Sequence, residues 1–206
     1  MATLEFTQDW FTSHRPMWDE ILSKLQPRRI LEIGSFEGLS TTYLIAKCTE
    51  YNPVEIHCVD TWAGGIEHEG IDFSEVEQRF NTNVQLTINN VKSPVTVFKH
   101  KGKSLAALSE LTAKERSGFD LVYVDGSHES PDVIADAVLG WELLRIGGAM
   151  VFDDYNNPNP HDDPKYPRLA IDSFLKIFHG RYKEVSFSSN GVPIEQMYQL
   201  FLQKIA

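Results

Sequence analysis

The stretch Ile30-Leu-Glu-Ile-Gly-Ser-Phe-Glu-Gly-Leu-Ser40 decides the fold of this sequence. Its apolar start predicts a short buried strand that ends at Gly34, and Gly38 allows the backbone to approach a ligand closely. A helix is predicted from about Ser40, with its apolar residues Leu44, Ile45 and Cys48 facing inward. A strand, a glycine loop and a helix in this order present backbone N–H groups to a ligand. The stretch is therefore a candidate binding loop, with an ordinary βα turn as the alternative.

Composition indicates one globular domain spanning residues 1–206, since 42% of the residues are hydrophobic and 11% are aromatic. The net charge of −10 argues against a nucleic-acid partner. The sequence contains no run of about 18 apolar residues, so no membrane span is predicted. The first residues lack the pattern of a signal peptide. Cys48 and Cys58 both lie in apolar segments, which favours buried thiols and a cytoplasmic location.

Strands and helices alternate along the chain, which predicts an α/β fold. Residues 1–27 form an N-terminal segment that is predicted to be helical over 4–26, and residues 61–94 form an insertion or lid with a helix near 73–87. Further strands are expected at 55–60, 95–100, 119–125, 149–152, 182–187 and 196–202. This order predicts a mostly parallel sheet with helices on both faces and a C-terminal antiparallel hairpin.

Five carboxylates fall at the predicted ends of strands: Glu32, Asp60, Asp125, Asp153 and Asp154. Ligands of open α/β sheets bind at the carboxyl ends of the strands. Two uses are expected there. Glu32 and Asp60 accept hydrogen bonds from a nucleoside, while the three other aspartates hold a hard cation such as Mg²⁺. A solvated acidic rim without a ligand is the alternative.

Two further side chains are candidates for roles beside these carboxylates. His128 follows Asp125 by three residues, so it could take a proton from a substrate hydroxyl as general base or orient its loop. Trp62 follows Asp60 by two residues, so its ring could cover a flat ligand or fill space beneath the loop. The residues leave both alternatives open.

The chain resembles the class I S-adenosylmethionine-dependent methyltransferases. The resemblance is carried by Leu31–Ser40, by Asp60, by Tyr123-Val-Asp-Gly-Ser-His128, by Leu144-Arg-Ile-Gly-Gly148 and by Phe152-Asp-Asp-Tyr155. More narrowly, it is similar to the small metal-dependent O-methyltransferases, including the catechol type and the enzymes that modify antibiotic sugars. It implies a Rossmann-like sheet of seven strands, with S-adenosylmethionine and Mg²⁺ (or a similar divalent cation) as cofactors.

The resemblance and the loop pattern together give the candidate site residues. Those for metal binding are Asp125, Asp153 and Asp154, and those for catalysis are His128 and Asp125. Those for cofactor binding are Glu32, Gly34, Ser35, Phe36, Gly38, Ser40, Asp60, Trp62, Gly102, Lys103, Ser104 and Asp125. The catechol type has Lys in place of His128 and Asn in place of Asp154, so its base and its aromatic substrate do not transfer to this chain.

The expected function is methyl transfer to a hydroxyl of a small-molecule acceptor, assisted by Mg²⁺. Alternatives are a metal-independent methyltransferase acting on nitrogen or a carboxylate, a nicotinamide-dependent oxidoreductase on a similar sheet, and a binding protein without catalysis. The loop has Gly34 and Gly38 but lacks the three glycines typical of dinucleotide sites, which disfavours the oxidoreductase. A homodimer through the N-terminal aromatic residues is compatible with the sequence.

Overall fold

The structure, a computed structural model, describes residues 3–65, 70, 72–114, 118–158, 160–187 and 198–206. Seven strands of this part form one sheet in the order β3-β2-β1-β4-β5-β7-β6. The strands are β1 (Arg29–Ile33), β2 (Val54–Asp60), β3 (Val95–Lys101), β4 (Phe119–Val124), β5 (Leu144–Phe152), β6 (Tyr182–Glu184) and β7 (Leu200–Lys204). The prediction of a seven-stranded, Rossmann-like sheet is confirmed.

The first five strands pair in parallel, in the order β3-β2-β1-β4-β5. β7 pairs antiparallel with both β5 and β6. β7 lies between β5 and β6, so the terminal pair closes one edge of the sheet. The expected hairpin turn at 188–191 lies outside the described residues. The strand order reverses between β1 and β4, and this is the place where open α/β sheets bind ligands.

Helices cover both faces of the sheet because consecutive strand residues point to opposite sides. Ile30 belongs to the core shared with α1 (Arg15–Leu25), α2 (Leu39–Cys48) and α3 (Val76–Asn90). Leu31 belongs to the opposite core. The helices on that side are α4 (Ser104–Lys114), α5 (Ser130–Leu143) and α6 (Arg168–Ile177). No helix among the described residues combines the length and the apolar character needed to cross a membrane.

The prediction of a helix over residues 4–26 is wrong for its first part. A 3₁₀ turn spans Thr12–His14 and α1 begins only at Arg15. The backbone N–H groups of Glu5 and Thr7 donate to Asn83 and Glu37, which belong to other parts of the chain. The backbone of this segment is thus satisfied by tertiary contacts, which an apolar pattern along the sequence does not reveal.

Smaller differences concern the bounds of α3 and β5. The helix expected at 73–87 is α3, and residues 66–69 and 71 of the proposed lid lie outside the described part. β5 begins at Leu144, five residues earlier than predicted, because Gly147 and Gly148 are incorporated in the strand.

Candidate functional site

The glycine loop joins β1 to α2 at the point where the strand order reverses. Gly34 has φ +87° and Gly38 has φ +82°, conformations that favour glycine. The Gly34 N–H donates to the carbonyl of Val59 at the end of β2 (2.9 Å). A Cβ on Gly34 would lie 1.8 Å from the carbonyl oxygen of Asp125 at the end of β4. Three neighbouring strand ends therefore meet at this glycine.

Asp60 holds the glycine loop through backbone hydrogen bonds. Its Oδ2 accepts the N–H groups of Ser35 (2.8 Å) and Phe36 (2.7 Å), and its Oδ1 accepts the N–H of Trp62 (2.6 Å). The carboxylate is half-buried, and it has acceptor capacity beyond these three bonds. Asp60 can therefore accept a ligand hydroxyl while it supports the loop.

Glu32 lies beneath the loop, and this changes its expected role. The side chain is completely buried. Its carboxylate accepts hydrogen bonds from the hydroxyls of Ser35 (2.7 Å), Ser40 (2.7 Å) and Thr41. Burial raises the pKa of Glu32, and these three hydroxyls oppose that shift. A carboxylate enclosed in this way has no surface for a nucleoside, so the prediction of direct contact is corrected: Glu32 and Ser40 stabilise the loop from below.

Trp62 and the turn at Gly102 lie beside Asp60. The Trp62 ring is 4% exposed, packs against Phe80 with ring centroids 4.9 Å apart, and donates its indole N–H to the Phe36 carbonyl (2.9 Å). Of the two alternatives for Trp62, filling space beneath the loop agrees with these contacts. The Gly102 N–H donates to the Asp60 carbonyl (2.9 Å), which places the 102–104 turn next to the loop. Lys103 in this turn is exposed.

Phe36 occupies an unusual conformation within the loop. Its φ of +46° lies in the left-handed region, where a bulky residue is rarely found. Its ring is held between Trp10 (5.2 Å between centroids) and Phe73 (5.7 Å). Strain of this kind persists only where the surroundings enforce it, and it is concentrated at functional sites.

Glu37 is a loop residue whose role the sequence analysis missed. Its carboxylate is buried, and it accepts the Thr7 N–H (2.6 Å), the Thr7 hydroxyl (2.9 Å) and the Nε–H of Arg79 (2.5 Å). A glutamate in a polar loop gives no sequence signal for such burial. It attaches the N-terminal segment to the glycine loop.

On the other side of the strand-order reversal, three aspartates converge. Asp125 follows β4, and Asp153 and Asp154 follow β5. Each offers an oxygen, and these oxygens lie within 4.8 Å of one another. A cavity of about 10 Å³ lies between these residues, His128 and Pro167, close to the least volume that holds one water molecule. Three carboxylates around a space of this size form the donor set that a hard divalent cation prefers.

The charges of this cluster are not equivalent. Burial raises the pKa of Asp125 well above its ordinary value, and the neighbouring carboxylates raise it further. The pKa of Asp153 is also raised, by burial and by Asp154. Burial acts in the same direction on Asp154, but hydrogen bonds from His128, Tyr198 and Asn157 outweigh it and lower the pKa of that carboxyl. Like charges so close together require a counter-charge or a proton.

His128 is paired with one member of the cluster. Its Nε2 lies 2.7 Å from Oδ2 of Asp154, and the imidazole is about one-third exposed, at 32%. If Nε2 carries the proton donated to Asp154, Nδ1 is the nitrogen that can accept one. A histidine oriented by a carboxylate in this way has the arrangement of a general base. Asp154 itself has φ +56°, so its backbone lies in the left-handed region, as the backbones of Phe36 and Trp62 do.

Two consecutive residues that the sequence analysis missed complete the surroundings of the cluster. Tyr198 donates its hydroxyl to Oδ1 of Asp154, and Gln199 donates an amide N–H to Oδ2 of Asp153 (3.2 Å). The Tyr123 hydroxyl also donates to Oδ2 of Asp153 (2.6 Å). Gln199 is completely buried. An amide next to the apolar run Leu200–Leu202 was the available signal, since a buried polar group needs a partner.

The comparisons with known proteins identify the family of this chain. A family model described as a methyltransferase domain matches residues 31–155, from the glycine loop to the end of the acidic cluster. The chain belongs to this family of methyltransferase domains. The O-methyltransferase hkm8 of Aspergillus hancockii is 30% identical over 129 residues, covering 63% of this chain. The chain spans only 43% of that relative's length.

Solved structures share the fold of the methyltransferase domain. TomG of Streptomyces achromogenes, an O-methyltransferase of tomaymycin synthesis solved with SAM, superposes with a TM-score of 0.68 at 18% identity, covering 98% of this chain and 82% of TomG. An O-methyltransferase of Bacillus cereus, solved with SAH, gives a TM-score of 0.64 at 17% identity, covering 97% of this chain and 84% of the other. The class I methyltransferase resemblance of the sequence is confirmed.

Proposed function

We propose that this methyltransferase domain transfers a methyl group from S-adenosylmethionine to a hydroxyl of a small-molecule acceptor, with a divalent cation such as Mg²⁺ at the acidic cluster. One observation carries the proposal: the backbone of Gly34 packs directly on the backbone of Asp125. The loop suited to a nucleoside and the carboxylates suited to a cation are therefore separated only by this backbone contact. A cofactor bound at the loop and an acceptor bound at the carboxylates would be close to each other, and positioning of this kind is a major source of catalysis.

On the cofactor side, we assign the glycine loop and its supports to the nucleoside. Asp60 would accept a ribose hydroxyl, as it has acceptor capacity beyond its bonds to Ser35 and Phe36. Gly34 and Gly38 keep the loop backbone free of side chains, and Glu32 holds it from below. The turn at Gly102, tied to the Asp60 carbonyl, borders the same region.

On the acceptor side, Asp125, Asp153 and Asp154 would hold the cation, whose chemistry is to lower the pKa of an acceptor hydroxyl. His128 would accept the hydroxyl proton at Nδ1 while Asp154 orients its ring. The half-buried position of His128 at the cavity keeps it in contact with solvent, so the proton can afterwards leave. The polar residues around the cavity favour a hydroxylated small molecule as acceptor.

A metal-independent methyltransferase is the second candidate, and one observation favours it. Asp153 and Asp154 already accept hydrogen bonds from Tyr123, Gln199, Tyr198 and Asn157. Carboxylates satisfied in this way could serve only to orient His128. The two candidates differ in their response to a chelator.

Calorimetric titration of S-adenosylhomocysteine in Mg²⁺ and in EDTA, with NAD as a control ligand, tests the proposal. We expect binding of the homocysteine nucleoside and no heat from NAD. A Mg²⁺ heat should disappear in Asp153→Asn and persist in Asp132→Asn, which changes an exposed aspartate on α5. Absence of nucleoside binding would refute methyl transfer. Nucleoside binding without any Mg²⁺ heat would leave the metal-independent candidate.

A further inference from the structure

Tyr198 and Gln199 each donate a hydrogen bond to one carboxylate of the acidic cluster. Tyr198 donates to Asp154, and Gln199 donates to Asp153. The two donors are adjacent in the chain, just before β7. The Tyr198 carbonyl accepts the N–H of Asn156 (3.4 Å), which ties this segment to the loop after β5. Two neighbouring residues thus control the orientation of two neighbouring aspartates.

Each of these two donors is in contact with a residue from the N-terminal part of the chain. The His14 ring stacks on the Tyr198 ring with centroids 5.5 Å apart and an interplanar angle of 14°. The Trp18 indole N–H donates to Oε1 of Gln199 (2.9 Å), and Trp18 is completely buried against Tyr123. His14 immediately precedes α1 and Trp18 lies in its first turn, so both contacts come from the start of this helix.

We propose that Tyr198 and Gln199 are positioning residues for the carboxylates of Asp154 and Asp153, and that His14 and Trp18 hold them in place. The inference rests on the proposed function, because it gives these four residues control over the affinity for a divalent cation. They act through the aspartates and do not contact the cation or the acceptor themselves.

The physical reason lies in the repulsion within the cluster. Three carboxylates within 4.8 Å of one another repel when ionised, so each must be held by donors if its oxygen is to face the cavity. Hydrogen-bonded supports of this kind orient metal ligands, and their removal typically weakens metal binding by about 10–100-fold. Donors on packed side chains provide such orientation better than water does, because their own positions are fixed.

The hydrogen bond from Trp18 explains how the side-chain amide of Gln199 can be completely buried. An amide that is completely buried must have both its ends satisfied. The Gln199 amide donates to Asp153 and to the Tyr123 hydroxyl (3.1 Å), and its oxygen accepts from Trp18. Trp18 therefore fixes which end of the amide faces Asp153, since the indole can only donate. Reversal of the amide would bring its oxygen against the carboxylate.

Binding of Mn²⁺ alone, followed by electron paramagnetic resonance of the whole chain, tests the inference without an acceptor. Tyr198→Phe removes one hydroxyl and keeps the ring, and it should weaken Mn²⁺ binding by about 10-fold or more. Gln199→Glu keeps an acceptor for Trp18 but places a charge against Asp153, so a larger loss is expected. His14→Ala should weaken binding, while His14→Phe, which can still stack on Tyr198, should restore it.

The affinity for S-adenosylhomocysteine, measured on the same samples, separates this inference from the proposed function. We expect it to stay within about twofold of the unmodified protein in each variant, since the altered residues lie on the cation side. Tyr198 is 38% exposed and Tyr198→Phe conserves its ring, so this test does not depend on tolerance of changes at buried Gln199. Unchanged Mn²⁺ affinity in Tyr198→Phe and Gln199→Glu would overturn the inference. If the unmodified protein binds the nucleoside but not Mn²⁺, the inference is also overturned. If the unmodified protein does not bind the nucleoside, the proposed function is refuted instead.

Discussion

Gly34 and Asp125 are in direct backbone contact across the boundary between β1 and β4. A Cβ at Gly34 would lie 1.8 Å from the Asp125 carbonyl oxygen and 2.5 Å from its carbonyl carbon. The Asp125 N–H in turn donates to the carbonyl of Ile33 (2.8 Å). The position of the first metal-binding candidate is therefore fixed by the backbone of the glycine loop, and no side chain can be inserted between them.

Substitution Gly34→Ala should destabilise the protein by about 3–5 kcal/mol, because a left-handed conformation and a backbone clash add together. Gly180→Ala is the matched control, since Gly180 also has a positive φ (+81°) but nothing within 4 Å of its Cβ position. That control should lose only about 1–2 kcal/mol. Urea unfolding measures both, and equal losses would show that the contact with Asp125 is unimportant.

Substitution Asp60→Asn should weaken binding of S-adenosylhomocysteine by about 10-fold or more, a change of about 1.4 kcal/mol. The two carboxylate oxygens accept three backbone N–H groups of the loop region. An amide offers only one acceptor oxygen, so its NH₂ group must face a backbone N–H that is left unpaired.

Asp72→Asn is the matched control for Asp60→Asn, measured by the same calorimetric titration. Asp72 is an exposed aspartate that accepts the N–H of Ser74 (2.8 Å) in its own turn. Its replacement should leave nucleoside binding unchanged. Equal affinity of the unmodified protein and Asp60→Asn would argue against a cofactor role of Asp60.

The sequence predicted the parallel part of the sheet well, because its strands and helices are encoded by local apolar patterns. Ile30 and Leu31 face different cores, so a short apolar run bounded by Gly34 indicated a strand covered on both sides. The strand ends in turn located Asp60, Asp125, Asp153 and Asp154 at one edge. Their convergence follows from topology, which a parallel arrangement fixes without knowledge of side-chain contacts.

The features of the site that the sequence did not predict depend on contacts between residues far apart in the chain. Glu32 was expected to face a ligand, yet Ser35, Ser40 and Thr41 enclose it, since a strand end does not determine the direction of a side chain. The support of Gln199 by Trp18 joins residues 181 positions apart. Local sequence patterns carry no information on such pairs.

Substitution Asp125→Asn should stabilise the protein in EDTA and abolish its response to Mg²⁺. A neutral amide removes one like charge from three closely spaced carboxylates, for an expected gain of about 1–3 kcal/mol at pH 8. Mg²⁺ at about 100 times its dissociation constant should stabilise the unmodified protein by about 2.7 kcal/mol, and it should have no effect on the variant. Urea unfolding with and without Mg²⁺ measures both effects.

The control for Asp125→Asn is Asp162→Asn, at an exposed position in the loop before α6. It should behave as the unmodified protein in both buffers. A variant Asp125→Asn that is less stable in EDTA would show that the carboxylate is stabilised by its hydrogen bonds more than it is destabilised by repulsion.

Asp136 is a buried acid on α5 outside the proposed reaction. Its side chain is 1% exposed and its Oδ1 has no hydrogen-bond partner. Burial raises the pKa of Asp136 to about 7, the charge of Asp132 adds to this shift, and a hydrogen bond with Ser104 opposes it. The unfolded chain should ionise Asp136 at its ordinary pKa of 3.8, so folding binds a proton between these two values.

Substitution Asp136→Asn should therefore stabilise the protein more at pH 8 than at pH 5. The pKa of Asp136 is higher in the folded protein than in the unfolded chain. The loss of unfolding free energy that Asp136 causes is therefore absent below about pH 4, grows as the pH rises to about 7, and is then constant. The gain in unfolding free energy should be about 3 kcal/mol larger at pH 8 than at pH 5. Urea unfolding at both pH values measures it, with Asp162→Asn as the exposed control, because the charge of Asp132 itself acts on Asp136. Equal gains at the two pH values would show that Asp136 is ionised in the folded protein at pH 5.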